Sequence, residues 1–168
     1  MATATYDKIA TQTLASAASS ITFSSIAASW TDLRLVLVST TATASQGVLC
    51  RFNSDTATNY SQTNLYGSGS AAGSAKGTGV AYIDFDAATG GNDTDYPTLY
   101  RFDVFSYAGS TYKTGLLMNN GDRNSYGYVV SEVTLWRSTA AITTILLYPS
   151  VGNFKINTTA TLYGIKSA

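Results

Sequence analysis

Histidine is absent from this chain, and cysteine, glutamate and proline are nearly so: one Cys, one Glu and two Pro in 168 residues. The lack of histidine removes the commonest general base and the commonest zinc ligand together. A single cysteine excludes a disulfide within the chain. In Val48-Leu49-Cys50-Arg51-Phe52 it shares a strand face with Val48 and Phe52 and reads as a small buried apolar residue, with no imidazole to activate it as a nucleophile. Charge is scarce too, at 12% of residues, about half the usual share. Ten basic and ten acidic side chains cancel without forming a run of either sign. That argues against nucleic acid as a partner, because affinity for phosphates rests on clustered Lys and Arg. The longest aliphatic run, Leu35 to Val38, is far too short to span a bilayer, so no membrane partner is expected. Met1 to Tyr6 has neither the basic nor the apolar part of a signal peptide. The expectation is synthesis in a reducing host cytoplasm, without secretion. The sequons at Asn59, Asn92 and Asn157 then read as turn residues, not glycan sites.

Ser, Thr, Ala, Gly and Tyr take the place of the missing charge. With 45% hydrophobic and 12% aromatic residues the chain has ample material for a core, and its length predicts one domain over 1–168. A surface this neutral and rich in hydroxyls suits packing against copies of itself or against another protein.

No stretch sustains a helical period, and apolar residues recur mostly at period two. The C-terminal third, Tyr128 to Ile165, reads as three successive strands in a meander, with Val151 to Phe154 as the turn before the last. Val129, Val133 and Leu135 share one face of the first, and Glu132, Thr134 and Trp136 the other. Ile142 to Tyr148 is apolar on both faces and reads as a central strand. So does Leu33 to Val38, with Val48 to Asn53 as its expected neighbour. Tyr6 to Leu14 is an expected edge strand, and Trp30 an expected plug at one end of a sandwich. Val80 to Asp86 alternates, with Ile83 and Phe85 opposite Asp84 and Asp86. Leu99 to Tyr107 and Thr111 to Met118 form an expected hairpin. Gly67 to Gly79 (GSGSAAGSAKGTG) reads as a low-complexity mobile tip, or an arm that orders against a neighbouring subunit. It has no GxxxxGK[ST] spacing, so it is not a phosphate loop.

Acidic residues are the only candidates for chemistry. Asp84, Asp86, Asp93 and Asp95 could supply oxygens to calcium, but they match no EF-hand and nothing completes the six to eight ligands the ion takes. Glu132, the lone glutamate, leaves no carboxylate pair for glycoside hydrolysis and is expected to pair with Arg or Lys across strands. Arg101 and Asp103 share a strand face as a surface pair. Tyr60, Tyr66, Tyr96, Tyr100, Tyr107, Tyr112, Tyr126 and Tyr128 fall mostly at strand ends and in loops, where tyrosine packs sandwich ends, stacks on sugars or anchors interfaces.

Several segments, in order, resemble virion structural proteins of tailed bacteriophages. They are Ile21-Thr22-Phe23-Ser24-Ser25-Ile26, Asp32-Leu33, Arg51-Phe52-Asn53-Ser54-Asp55 with Asn59-Tyr60-Ser61, Leu135-Trp136-Arg137-Ser138-Thr139, and Gly152-Asn153-Phe154 with Leu162-Tyr163-Gly164-Ile165. Asn157-Thr158-Thr159 departs from the pattern, where a Gly-Ser turn is the expected form. The resemblance implies a β-sandwich that decorates the capsid or belongs to the tail or its fibres, commonly as a trimer, with no catalytic residues to carry over.

The combined expectation is a single-domain, jelly-roll-like antiparallel β-sandwich of about ten short strands. Its expected role is that of a non-enzymatic virion structural protein of a tailed phage. A capsid decoration (cement) protein comes first, because the chain is short, lacks a fibrous or coiled-coil stalk and has a neutral surface. The alternative is a tail or fibre module that binds a host-surface glycan or receptor through Tyr-rich loops. A polysaccharide hydrolase is a poor third. Expected partners are its own copies, as a homotrimer, and the major capsid protein or another virion protein. No catalytic, cofactor-binding or metal-binding residues and no cofactor are expected.

Overall fold

The structure is a computed structural model and describes residues 5–86 and 91–166. Among them there is no helix. In chain order the strands are β1 (Tyr6–Thr13), β2 (Ile21–Phe23), β3 (Asp32–Ser39), β4 (Val48–Phe52), β5 (Tyr60–Gly67), β6 (Ala72–Val80), β7 (Ile83–Asp84), β8 (Thr98–Phe105), β9 (Lys113–Asp122), β10 (Gly127–Trp136), β11 (Ile145–Pro149) and β12 (Thr159–Ile165). Eight form a large antiparallel sheet in the order β1-β12-β3-β8-β9-β10-β5-β6, and four a small one in the order β2-β11-β4-β7. The chain is therefore an all-β sandwich, as its period-two pattern predicts.

Alternation along β3 places Leu33, Leu35 and Leu37 inside, each at most 1% exposed. β11 is central in the small sheet and sends Ile145 and Leu147 against them. Aromatic rings knit the sheets together. Phe52 of β4 stacks on Phe102 of β8 at 6.1 Å and meets Trp136 of β10 edge-on at 5.5 Å, while Phe85 meets Phe102 edge-on at 5.2 Å. Each such pair adds about 0.5–1.5 kcal/mol beyond the area it buries. Two glycines make room for rings: a Cβ at Gly115 would run into Phe102, and one at Gly164 would lie inside Trp30. Trp30 closes its end of the sandwich against the core and donates from Nε1 to Asp7 at 3.1 Å.

Four expectations need correction. The C-terminal third is not a meander, because β10, β11 and β12 alternate between the sheets and β12 inserts between β1 and β3. For the same reason β4 does not neighbour β3; it pairs with β11 and β7, and β3 pairs with β12 and β8. Gly67 to Gly79 is not a mobile tip. After a tight turn in which Ser68 and Ala71 pair, Ala72–Val80 runs as the edge strand β6 along β5. Its Gly, Ala and Ser residues carry little strand propensity, so the ladder to β5 holds them extended. Val80 to Asp86, read as one strand, forms only the two residues of β7 before the chain turns.

Replacing Leu35 with Asp puts an unpaired carboxylate into this core. The several kcal/mol this costs compare with the roughly 5–15 kcal/mol that holds a whole domain together. The variant should be insoluble or show no cooperative melt by circular dichroism; a native-like melt would contradict the placement of β3.

Candidate functional site

The outer face of the large sheet is where this protein differs from an ordinary sandwich. On β10 the strand pattern is right but its orientation is the reverse of what hydrophobicity suggests. Glu132, Thr134 and Trp136 point inward, while Val129 and Val133 are 63% and 48% exposed. Beside them β5 exposes Leu65 (67%), and β9 exposes Leu116 and Met118. The ladder sets these side by side, with Ser131 between Met118 and Leu65, and Val133 opposite Leu116. Thr114, Asn120, Leu135, Ser61 and Thr63 fill the outward positions around them, none of them charged, and the exposed Asp122 ends the outward row of β9. Leu99 and Phe105 continue the apolar surface on β8. Between them on the same strand lie Arg101 and Asp103, the expected surface pair, opposite Met118 and Leu116 of β9, and Arg101 Nη2 donates to Met118 Sδ at 2.8 Å. Asp103 is bound chiefly by Arg34 of β3, whose Nη2 donates to it at 2.9 Å, and Arg101 stands 3.8 Å away.

The inner face of the same strands sets polar side chains, Gln62, Asn64, Asn119, Glu132 and Thr134, among apolar ones such as Tyr60, Leu117, Val130 and Trp136. Glu132 is 1% exposed and has no Arg or Lys partner; Asn64 Nδ2 donates to its Oε2 at 3.2 Å. The expected cross-strand ion pair fails because the cation in reach along the sheet, Lys76, lies opposite Thr63 on the outer face. Burial pushes the Glu132 carboxyl up to about 8, against the pull of Asn64 and with a push from Asp84 and Asp86. Asp86, expected on a solvated face, is 6% exposed. It accepts from the Val48 amide and the Tyr100 hydroxyl, both at 2.8 Å. Burial still carries it up to about 7, those hydrogen bonds opposing. Burial raises Asp84 as well. Gln62 seals the seam between sheets, donating to the Asp84 carbonyl at 3.2 Å and accepting from the Asp84 amide at 3.0 Å. Enclosed carboxyls of this kind face no cleft, so they store a desolvation cost instead of meeting a substrate.

The other candidate residues scatter. Asp93 pairs with Arg123 at 3.3 Å and Asp95 with Lys155 at 3.7 Å, whereas Asp84 is half-buried and Asp86 buried. Among the described residues no group of three His, Cys, Asp or Glu side chains is placed to hold a metal ion. Cys50 is fully buried, and its thiol is pushed far up by desolvation. Of the eight tyrosines expected at strand ends and in loops, Tyr60, Tyr100, Tyr107 and Tyr128 are core residues. Tyr112 and Tyr126 are exposed at opposite ends of β9. Asn92 is no surface turn but fully buried, donating to the Tyr100 hydroxyl at 2.6 Å; Asn157 does turn the chain, at φ 69°. An open groove of about 430 Å³ runs between the β5–β6 and β9–β10 turns, floored by Gly67, Gly69, Gly121 and Gly127 and flanked by Asn120 and Asp122. Tyr126 lines its continuation.

Sequence reasoning missed the outer face because it assumed that the apolar side of β10 must turn inward. The lone glutamate on the opposite side looked like a solvent marker. Comparison of the chain with protein-family models, with curated proteins and with solved structures gave no match.

The buried carboxyls set a pH dependence. Their folded-state values lie above the unfolded values near 4, so folding favours the protonated forms. Stability is therefore full below about pH 4 on their account and declines as pH rises through about 7 and 8. Asp7, Asp55 and Asp93, held below the usual carboxylate range, act only at the acid end. Thermal melts should show Tm falling from pH 5 to pH 9, and Glu132→Gln should recover part of that loss at pH 9 while changing little at pH 5. A wild-type Tm that rises across this interval would contradict the assignment.

Proposed function

We propose that this chain is a non-enzymatic structural protein of a tailed-phage particle, a capsid decoration protein that works through protein–protein packing. The observation that carries the packing role is the outer face of the large sheet, where eleven neighbouring outward side chains on three adjacent strands are uncharged, bordered by Asp122 at the end of β9 and by Arg101 and Asp103 on β8. A monomer rarely leaves a contiguous apolar patch of several hundred Å² in water unless something covers it. The phage setting rests on the resemblance of the segments around Ile21, Arg51, Trp136 and Leu162.

The strand order supports the jelly-roll reading of the sandwich. In a jelly roll, eight consecutive strands divide so that the first, eighth, third and sixth form one sheet, and the second, seventh, fourth and fifth the other. With β2 as the first strand, the small sheet β2-β11-β4-β7 is the first of these orders. The large sheet runs β3, then β8-β9-β10, then β5-β6. This is the second order with its seventh strand expanded into three. An odd number keeps every neighbour antiparallel, and β12 and β1 extend the free side. Jelly rolls are frequent in viral capsid and lectin domains, a likeness of fold and not of site.

The glycine-floored groove favours the second reading, a tail or fibre module for a host glycan. There an exposed Tyr126 ring stands near the Asp122 carboxylate and the Asn120 amide, the pairing of stacking surface and hydrogen-bonding groups that a sugar needs. Mass spectrometry of purified particles made from the genome that encodes the chain separates the readings. Decoration predicts the protein in many copies per particle, with host attachment unchanged by Tyr126→Ala. A few copies per particle, with attachment lost in Tyr126→Ala, would favour the glycan reading. Absence from the particle would overturn both.

A further inference from the structure

We infer that the outer face of the large sheet is covered by the same face of a second copy of this chain, the two packing sheet to sheet about a two-fold axis. The inference rests on the packing role proposed above and names the occupant.

Area comes first. Eight strands spaced about 4.8 Å apart and about 25 Å long offer roughly 900 Å² of flat surface, close to the ~800 Å² per partner of a stable interface. The outward positions of β5 and β10, those of β9 as far as Asn120, and β8 with its Arg101–Asp103 pair make up about half of it, comparable with the roughly 300–600 Å² of a typical monomer's largest patch. The hydroxyl-bearing strands β1 and β12, with Thr11, Thr13, Thr159 and Thr161 outward, form a polar margin. A hydrophobic centre with a polar rim is the anatomy of a protein interface.

Charge selects the occupant. A partner bearing acidic or basic groups would have to desolvate them against Leu65, Val129, Ser131 and Val133, where no counter-charge lies. A second copy brings the same neutral surface, so nothing repels and nothing is left unpaired at the centre. The charges on this face border that patch: Arg34 and Arg101 pair with Asp103, Arg101 also donating to Met118 Sδ at 2.8 Å, while Asp122 ends β9 and Lys8 and Lys76 lie on the edge strands β1 and β6. A face that meets itself closes as a two-fold pair. A threefold ring would instead need two different patches meeting head to tail.

Sedimentation of the purified chain at about 1–100 μM, beside Ser131→Arg and a Leu65→Glu/Val129→Glu variant, tests this. All three positions are exposed, so each variant should keep the wild-type circular dichroism spectrum and melt. Ser131 lies at the centre of the face and its replacement removes no apolar contact, which makes it the control should the double variant fold poorly. The wild type should be dimeric and both variants monomeric, with self-association weakened by about a hundredfold or more. Three results would overturn the inference: a wild-type dimer unaffected by Ser131→Arg, a wild-type trimer, or a wild-type monomer. A monomer that enters particles while Ser131→Arg does not would leave the packing role standing with another virion protein as occupant. Absence of the wild type from particles would remove the virion role, whatever its oligomeric state.

Discussion

A four-stranded sheet here has to cover an eight-stranded one, and most of the structure follows from that mismatch. Aromatic stacking between Phe52, Phe85, Phe102 and Trp136 fills the region where the sheets overlap. Past its edges the large sheet must close by other means. On the β12 side Trp30 lies flat on Gly164 and is anchored by Asp7. On the β5 side the short strand β7 reaches Gln62, whose side-chain amide bonds the Asp84 backbone as a ladder residue would. Behind that seam the space is filled by Asn64, Glu132, Asn119 and Asp86 instead of by aliphatic side chains. Buried polar groups are tolerable only when bonded, and most of these are. Glu132 Oε1 and Asn119 Oδ1 have no partner among the described residues and mark where the arrangement costs most.

The same mismatch bears on the outer face. With polar groups turned inward on β5, β9 and β10, their apolar residues occupy the outward positions, since side chains alternate strictly along a strand. A contiguous apolar patch on the outer face of a sheet is the kind of surface that marks a contact. The fold and the proposed assembly are thus linked through the pleat: shifting β10 by one residue would bury Val129 and Val133 only by turning out Glu132 together with Tyr128, Val130 and Trp136.

Much of this was legible in the sequence. The all-β class, the centrality of β3 and β11, the β8–β9 hairpin, the edge position of β1, the plug at Trp30 and the burial of Cys50 all follow from period, turn residues and size. Sheet membership did not, because alternation says which face a residue occupies and nothing about which strand lies beside it. β6 was hidden by composition: Gly and Ala signal a loop until a neighbour such as β5 supplies the hydrogen bonds. The orientation of β10 was hidden by chemistry. Its two faces, Val129/Val133 and Glu132/Thr134/Trp136, were correctly separated, but hydrophobicity pointed the wrong one inward. Glu132 would have been the signal, since a lone glutamate among Thr and Trp with no cation nearby on its own face is poorly suited to solvent pairing.

The central claim is that the outer face of the large sheet is a contact surface, covered when the protein is assembled. Cys50 is buried, so one introduced thiol reports cleanly on its own surroundings. The rate at which a small thiol reagent labels Ser131→Cys, compared with Thr22→Cys on the outer face of the small sheet, is the most direct measurement. The account predicts equal rates at nanomolar concentration and strong protection of position 131 alone as concentration rises or particles assemble. Equal labelling of both positions in concentrated protein and in assembled particles would contradict it.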